Sequence, residues 1–158
     1  MTTWPQISID TERDLSLCFG CGQNNPIGLK LDFHWDSKIA RAEFTPTELY
    51  QGWPGLVHGG IIICLLDEAM AYASLFEGTT CVTAKMQIKF GCPASINESL
   101  VITASVTKKT RKLVEAKATV SLRDGTVIAE STATQFVVSS QASDILSKEN
   151  KFKSNAQK

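Results

Sequence analysis

Two adjacent carboxylates, Asp67 and Glu68, lie in the middle of the most apolar stretch of the chain. Apart from them and Ser74, every residue of 61–76 is apolar, which is typical of a helix buried on nearly all sides. An unpaired carboxylate in such surroundings is unfavourable, so these groups need partners or a function. A positioned carboxylate can act as a general base or as a nucleophile. The pair is therefore the first candidate for chemistry.

The residues that open this stretch, His58, Gly59 and Gly60, supply a second chemical feature. The first N–H groups of a helix lack partners within it, and together with the helix dipole they stabilise developing negative charge. We expect the Gly59 N–H to act in this way, since glycine also leaves room for a substrate to approach. Asp67 follows two turns later, with apolar residues at i ± 3 and i ± 4. Asp67 is thus the better candidate reagent of the two carboxylates.

The remaining segments must position these groups, and their pattern predicts mainly β-strands. Apolar and polar residues alternate in two segments before the helix and four after it, as in strands with one buried face. Asp124-Gly125 predicts a hairpin turn, and Gly78 predicts the end of the helix. The predicted strands span 29–34, 39–44, 82–90, 100–106, 114–122 and 126–138.

This order predicts an α+β fold, an antiparallel sheet of about six strands wrapped around one long central helix. One helix covers only part of such a sheet, which favours association with another copy. We expect one domain over 18–140, an N-terminal arm over 1–17 and a polar, disordered tail over 141–158.

Composition excludes several classes of function. Sixteen basic and sixteen acidic side chains give no general attraction to nucleic acid or to an anionic membrane. The N-terminus lacks a secretory pattern, and the carboxylates interrupt the longest candidate membrane span. Five cysteines, an odd number, suit reduced thiols in the cytoplasm. No cofactor fingerprint is present, so we predict a cytoplasmic protein without a cofactor.

The order of elements, the HGG of 58–60 and an acid nine positions after the His resemble the hotdog-fold thioesterase superfamily. The PaaI-type and acyl-CoA thioesterase branch is the most similar. The segment CFGCGQNNPIGL of 18–29 also resembles the C-x-x-C-G-x-x-N-P-x-G-L that precedes the first strand in many members. The resemblance covers 18–138 and implies a hotdog fold that hydrolyses an acyl-CoA thioester. It further implies a homodimer or a dimer of dimers, in which Gly59 of one subunit faces Asp67 of the other.

Further site residues follow from the resemblance. Thr83 falls where related thioesterases place a Ser or Thr that helps to hold the attacking water, although threonine is also a good strand former. His58 either orients the loop or touches the substrate. Relatives often carry Asn or Gln before HGG, whereas here that position holds Gly52 and Gln51 is one residue away. The predicted substrate-binding residues are Gln51, Gly60, Arg111 and Lys112.

Arg111 and Lys112 belong to a basic cluster with Lys108 and Lys109, between two predicted strands. The cluster is either a solvated hairpin loop or a contact for the phosphates of coenzyme A. Glu68 is expected to be satisfied by backbone groups or by an arginine at a subunit contact.

Cys18 and Cys21 have the spacing of half a zinc site, but a closed site needs four ligands and no second pair of this kind exists. His34, Cys81 or Cys92 would join them only by chance of the fold. We therefore predict a structural loop and no metal.

Two other functions stay open. A hydratase or dehydratase on this fold usually carries a His-Phe-Pro lead-in to its helix, which Gly59 and Gly60 replace here. A non-catalytic acyl-CoA binding module is the other possibility, although such a module could place an apolar residue at Asp67.

Overall fold

The computed structural model of the protein describes residues 15–139. Most of the predicted N-terminal arm and all of the predicted tail lie outside these residues. The described part contains six strands and one long helix in the predicted order, which is the hotdog arrangement. The elements are β1 (His34–Trp35), β2 (Ala40–Phe44), α1 (Gly59–Phe76), β3 (Thr80–Phe90), β4 (Leu100–Lys109), β5 (Leu113–Leu122) and β6 (Val127–Ser139).

The six strands form one antiparallel sheet in the order β1-β2-β4-β5-β6-β3. The alternation of apolar and polar residues decides which face of the sheet is buried. In β5 the buried residues are, as predicted, Val114, Ala116, Ala118 and Val120. The Asp124-Gly125 hairpin is also confirmed, since Gly125 has a φ of +92° that suits glycine. Strand β3 lies at the edge of the sheet and, within residues 15–139, pairs only with β6.

Helix α1 packs across the buried face and contacts every strand from β2 to β6. Leu65, Leu66, Ala69 and Met70 are fully buried at its centre. The eighteen residues have the length and hydropathy that a membrane span needs, but packing against the sheet makes α1 the core helix of the domain. Gly78, with a φ of +79°, follows its C-terminal end as predicted.

The first strand is shorter than predicted. Leu29, Leu31 and Phe33 are buried in the expected alternation, but only His34–Trp35 pairs with β2. The residues before β1 are held by another segment, because Leu29 N donates to Phe19 O at 2.8 Å and Leu31 N donates to Gly20 O at 2.9 Å. The residues before β1 therefore form backbone hydrogen bonds with the loop that contains Cys18 and Cys21 rather than with a neighbouring strand.

The basic cluster is also distributed differently from the prediction. Lys108 and Lys109 belong to β4, whereas Arg111 and Lys112 lie in the turn before β5. Lys109 Nζ donates to the carbonyl oxygen of Glu77 at 2.7 Å. This contact satisfies a carbonyl at the end of α1, where a cation is favourable, and it places the turn near the C-terminal end of the helix.

Leu65 is expected to be the most sensitive part of this packing, because it has no exposed surface. Leu65→Ala should lower the free energy of unfolding by about 2–5 kcal/mol, measured by urea denaturation. Leu49→Ala is the matched control, since Leu49 is 85% exposed and its truncation should change the value by less than about 0.5 kcal/mol. Equal losses in the two variants would contradict this description of the core.

Candidate functional site

His58 caps the N-terminus of α1. Its backbone is extended, and its Nδ1 accepts a hydrogen bond from Gly60 N at 2.8 Å. Its own N–H donates to Tyr50 O at 2.9 Å, which ties the cap to the preceding loop. The loop folds back closely, and a Cβ on Gly52 would lie 3.2 Å from the His58 Cα. Cap and loop thus fix the direction in which the helix starts.

Gly59, the first residue of α1, presents its N–H at the surface. The N–H groups of Gly60 and Ile61 are bonded to His58, whereas the Gly59 N–H has no hydrogen-bond partner among residues 15–139. A Cβ at Gly59 would meet only the Phe90 ring, at 3.7 Å. This N–H is a donor at the positive end of the helix dipole, available to an oxygen atom.

Asp67, two turns along the helix, is half-buried and is held by one side chain of the sheet. Thr83 Oγ1 donates a hydrogen bond to Asp67 Oδ1 at 2.7 Å. That contact fixes the carboxylate and leaves Oδ2 able to accept a proton. The neighbouring Cys64 is a neutral thiol, because burial and the charges of Asp67 and Glu68 raise its pKa. The Asp67 carboxylate is therefore a better candidate for chemistry at this position than the Cys64 thiol.

A β-bulge brings Thr83 to Asp67. Simple alternation along β3 would put Thr83 on the solvated face with Lys85, Gln87 and Lys89. The pairing with β6 shifts between Thr83 and Lys85, so that Ala84 has no partner and the side-chain alternation reverses there. Bulges re-aim side chains in this way and are common beside functional sites.

Gly59 and Asp67 are too far apart to act on one carbonyl group from the same chain. Eight helical residues separate them, which is about 12 Å along the axis. A nucleophile about 3 Å from a carbonyl carbon and a donor about 3 Å from its oxygen must lie closer than this. Within one copy the two groups therefore cannot act on the same carbonyl.

Glu68 has partners that the sequence did not suggest. Within residues 15–139 no ion pair joins Glu68 to an arginine, and its Oε1 accepts a weak hydrogen bond from Cys18 Sγ at 3.7 Å. The ligand atoms of Cys18, Cys21 and Glu68 all lie within 4.8 Å of one another. A Cβ on Gly20 would lie 2.4 Å from the Glu68 Cδ, so a larger residue there would have to displace the Glu68 side chain. The sequence did not indicate this contact, because it depends on a segment fifty residues away, and the expected partner at a subunit contact stays a prediction.

The three groups perturb one another. The pKa of Cys18 is lowered to about 5, against the effect of burial, by hydrogen bonds with the thiol of Cys21, the N–H groups of Cys21 and Gly20, and the Glu68 side chain. The pKa of the Cys21 thiol is raised, chiefly by the same hydrogen bond with Cys18 and to a smaller extent by burial and by the charge of Glu68. Burial, followed by the charge of Cys18, raises the pKa of Glu68 to about 7. A negative charge is thus favoured on Cys18, whereas a further charge on Cys21 or Glu68 is opposed.

The predicted substrate-binding residues are distributed over both ends of α1. Gln51 is exposed beside the N-terminus, and its Oε1 accepts from Gly55 N at 3.1 Å. The N–H of Gly60 is already bonded to His58. Arg111 and Lys112 lie in the turn near the other end of the helix, so one chain does not bring them to Gly59.

Residues 54–129 match the family model described as the thioesterase superfamily. No curated protein sequence matches the chain.

Solved structures share the fold at low sequence identity. A hypothetical thioesterase of Streptococcus pneumoniae TIGR4 with coenzyme A is 17% identical, with a TM-score of 0.64 over 68% of this chain and 84% of the other. A Streptococcus mutans UA159 protein bound to acetyl-CoA is 22% identical, with a TM-score of 0.64 over 68% and 87%. The Escherichia coli PaaI protein of the phenylacetic acid degradation operon is 22% identical, with a TM-score of 0.66 over 70% and 81%. The pneumococcal protein has also been crystallised as a Thr→Ala and as an Asp→Ala mutant, at positions whose numbers differ by 16.

The cap of α1 makes a testable contribution to stability. His58→Ala should lower the free energy of unfolding by about 1 kcal/mol, because the Gly60 N–H loses its acceptor. His58→Asn should retain most of that stability, since asparagine is a favourable N-cap. Chemical denaturation of the two variants measures the difference. If His58→Asn lost as much as His58→Ala, the side chain would have a role other than capping.

Proposed function

We propose, from the match of residues 54–129 to the thioesterase superfamily and from the shared fold, that the chain is a hotdog-fold thioesterase that hydrolyses an acyl-CoA thioester to a free acid and coenzyme A. The observation that carries the proposal is the Thr83–Asp67 hydrogen bond. It positions one carboxylate oxygen on a largely apolar helix whose N-terminus presents an N–H. Acyl transfer requires these two components, a base or nucleophile and an oxyanion donor.

In the proposed reaction, Asp67 activates a water molecule whose oxygen attacks the thioester carbon. The C–O bond forms and the carboxylate receives the water proton. The C–S bond then breaks, and the leaving thiolate of coenzyme A takes up a proton. Thr83 holds the carboxylate and helps to hold the water. Direct attack by Asp67, with an anhydride intermediate that water opens, uses the same atoms.

The oxyanion donor in this proposal is the Gly59 N–H of a second copy. The separation of about 12 Å along α1 requires that donor and base come from different chains, or that the base works with another donor. The free edge of β3 supports the first arrangement, because an unpaired edge strand is a template for a partner chain. Phe90, at the end of β3, is 51% exposed and is the nearest side chain to a Cβ built at Gly59. A homodimer that forms through this edge would cover both the unpaired edge of β3 and the exposed Phe90 ring. Two such dimers would form the dimer of dimers.

The comparisons support the choice of substrate. Relatives of the same fold hold coenzyme A or acetyl-CoA. The Asp and Thr mutated in the pneumococcal relative have the same separation in sequence as Asp67 and Thr83. In a cytoplasmic enzyme of this type, His58 and Gly60 would hold the site entrance, and Gln51 would contact the substrate near the carbonyl. Arg111 and Lys112 would meet the phosphates of coenzyme A bound mainly by another copy.

The base can be tested directly with a panel of acyl-CoA substrates, read by release of free thiol. Asp67→Asn should lower kcat by about 10²–10⁴-fold, since it keeps the shape and removes the base. Thr83→Val should lower kcat by about 10-fold, because the carboxylate loses its positioning hydrogen bond. Glu77→Gln, an exposed acid after the same helix, should leave kcat unchanged. A folded Asp67→Asn variant with the kcat of the unsubstituted protein would disprove the assignment.

The two-chain site can be tested by complementation. Gly59→Pro removes the N–H while suiting the first helical position, and the extended backbone of His58 tolerates a following proline. Alone, it should lower kcat by about 10²–10³-fold. A purified mixed dimer of one Gly59→Pro chain and one Asp67→Asn chain should regain roughly half of the full activity, because one of two sites is intact when components come from different chains. A mixed dimer as inactive as both parents would show that each site belongs to one chain.

A further inference from the structure

The loop of residues 18–22 is closed and rigid. Cys18 N donates to Leu15 O at 2.9 Å, and Gly22 N donates to Cys18 O at 3.0 Å. A Cβ on Gly22 would lie 2.4 Å from Ser16 O, so the loop needs glycine at this position. The carbonyl oxygens of Phe19 and Gly20 bind the next segment of chain. Two sulfur atoms are thus carried on a loop whose shape is fixed from both sides.

The third member of the cluster comes from α1. Glu68 is largely buried, and no Lys, Arg or His side chain in 15–139 lies within ion-pair distance of its carboxylate. Its neighbours are two further groups that become anionic when they lose a proton. Their ligand atoms and that of Glu68 lie within 4.8 Å of one another, so a bound cation would offset the repulsion among the three groups once they are anionic.

From this juxtaposition we propose that Cys18, Cys21 and Glu68 bind a thiophilic divalent cation, with Zn²⁺ as the best match. Zinc accepts thiolate and carboxylate ligands in tetrahedral geometry, with Zn–S of about 2.3 Å and Zn–O of about 2.0–2.2 Å. Ligand atoms that already lie within 4.8 Å of one another need only small movements to reach those lengths. Mg²⁺ and Ca²⁺ fit poorly, because they prefer sites made entirely of oxygen. Water completes the fourth position.

The position of the site assigns it a structural role. Glu68 faces the cysteine loop, whereas Asp67 faces β3 and binds Thr83. The cation would therefore join the loop to the middle of α1 without contacting the proposed reagent. Because the site is assembled only in the folded chain, binding stabilises the fold in proportion to the concentration of the metal relative to its dissociation constant.

The test uses the full chain, stripped of metal with a chelator and kept reduced, and titrated with Co²⁺ as a spectroscopic probe. We expect a thiolate-to-cobalt charge-transfer band that saturates at one equivalent per chain, disappears on addition of Zn²⁺ and accompanies a rise in Tm. Cys18→Ser and Cys21→Ser should abolish the band. Glu68→Gln, which preserves shape, should weaken binding by at least about 10-fold. Cys92→Ser, a thiol outside the cluster, is the matched control and should bind normally.

Several results would overturn the proposal. These are a reduced protein that shows no charge-transfer band, a band that survives both cysteine substitutions, or equal affinity in Glu68→Gln. Oxidation of Cys18 and Cys21 to a disulfide at the same rate with and without one equivalent of Zn²⁺ would also do so, since a bound cation protects its thiolate ligands. None of these readouts depends on hydrolysis of a thioester, so the proposed enzymatic activity can fail or succeed independently.

Discussion

Helix α1 is held on the sheet by side chains that have no contact with water, among them Leu65, Leu66 and Met70. These residues fix the rotation of the helix, because turning it to bury Asp67 more deeply would expose them. Successive helical residues point about 100° apart, so the two carboxylates face different neighbours. Asp67 meets a hydroxyl of β3, and Glu68 meets the thiols of a loop. The environments of both carboxylates follow from one packing constraint.

Much of the fold could be predicted from periodicity, because strand and helix patterns report which face is buried. The central helix, its end at Gly78 and the hairpin at Gly125 were all predicted from residue type, and the structure confirms them. The first strand was mispredicted for a physical reason: Leu29 and Leu31 show strand-like burial but bond to a loop instead of β2. Alternation reports burial and does not identify the hydrogen-bond partner.

The candidate site was less predictable, because its contacts join distant segments. The contact between Glu68 and Cys18 spans fifty residues, and the spacing of Cys18 and Cys21 gave no indication of a third group. One local signal was available: Gly20 and Gly22 surround Cys21, and both lack room for a side chain. Glycine so close to a cysteine pair indicates a tightly packed loop, but it does not identify what packs against it.

The bulge at Ala84 has a consequence for comparing this chain with its relatives. The bulge shifts the side-chain alternation of β3 by one residue. A residue before the bulge and a residue after it that lie on the same face of the sheet are therefore an odd number of positions apart. A sequence alignment in which the gap within β3 is misplaced by one position matches the hydrophobic pattern almost as well as the correct alignment. It nevertheless aligns Thr83 with a residue on the opposite face of the sheet. At the low identities found among proteins of this fold, equivalent residues in β3 must be matched through their contact with the helix acid rather than through the sequence pattern of the strand.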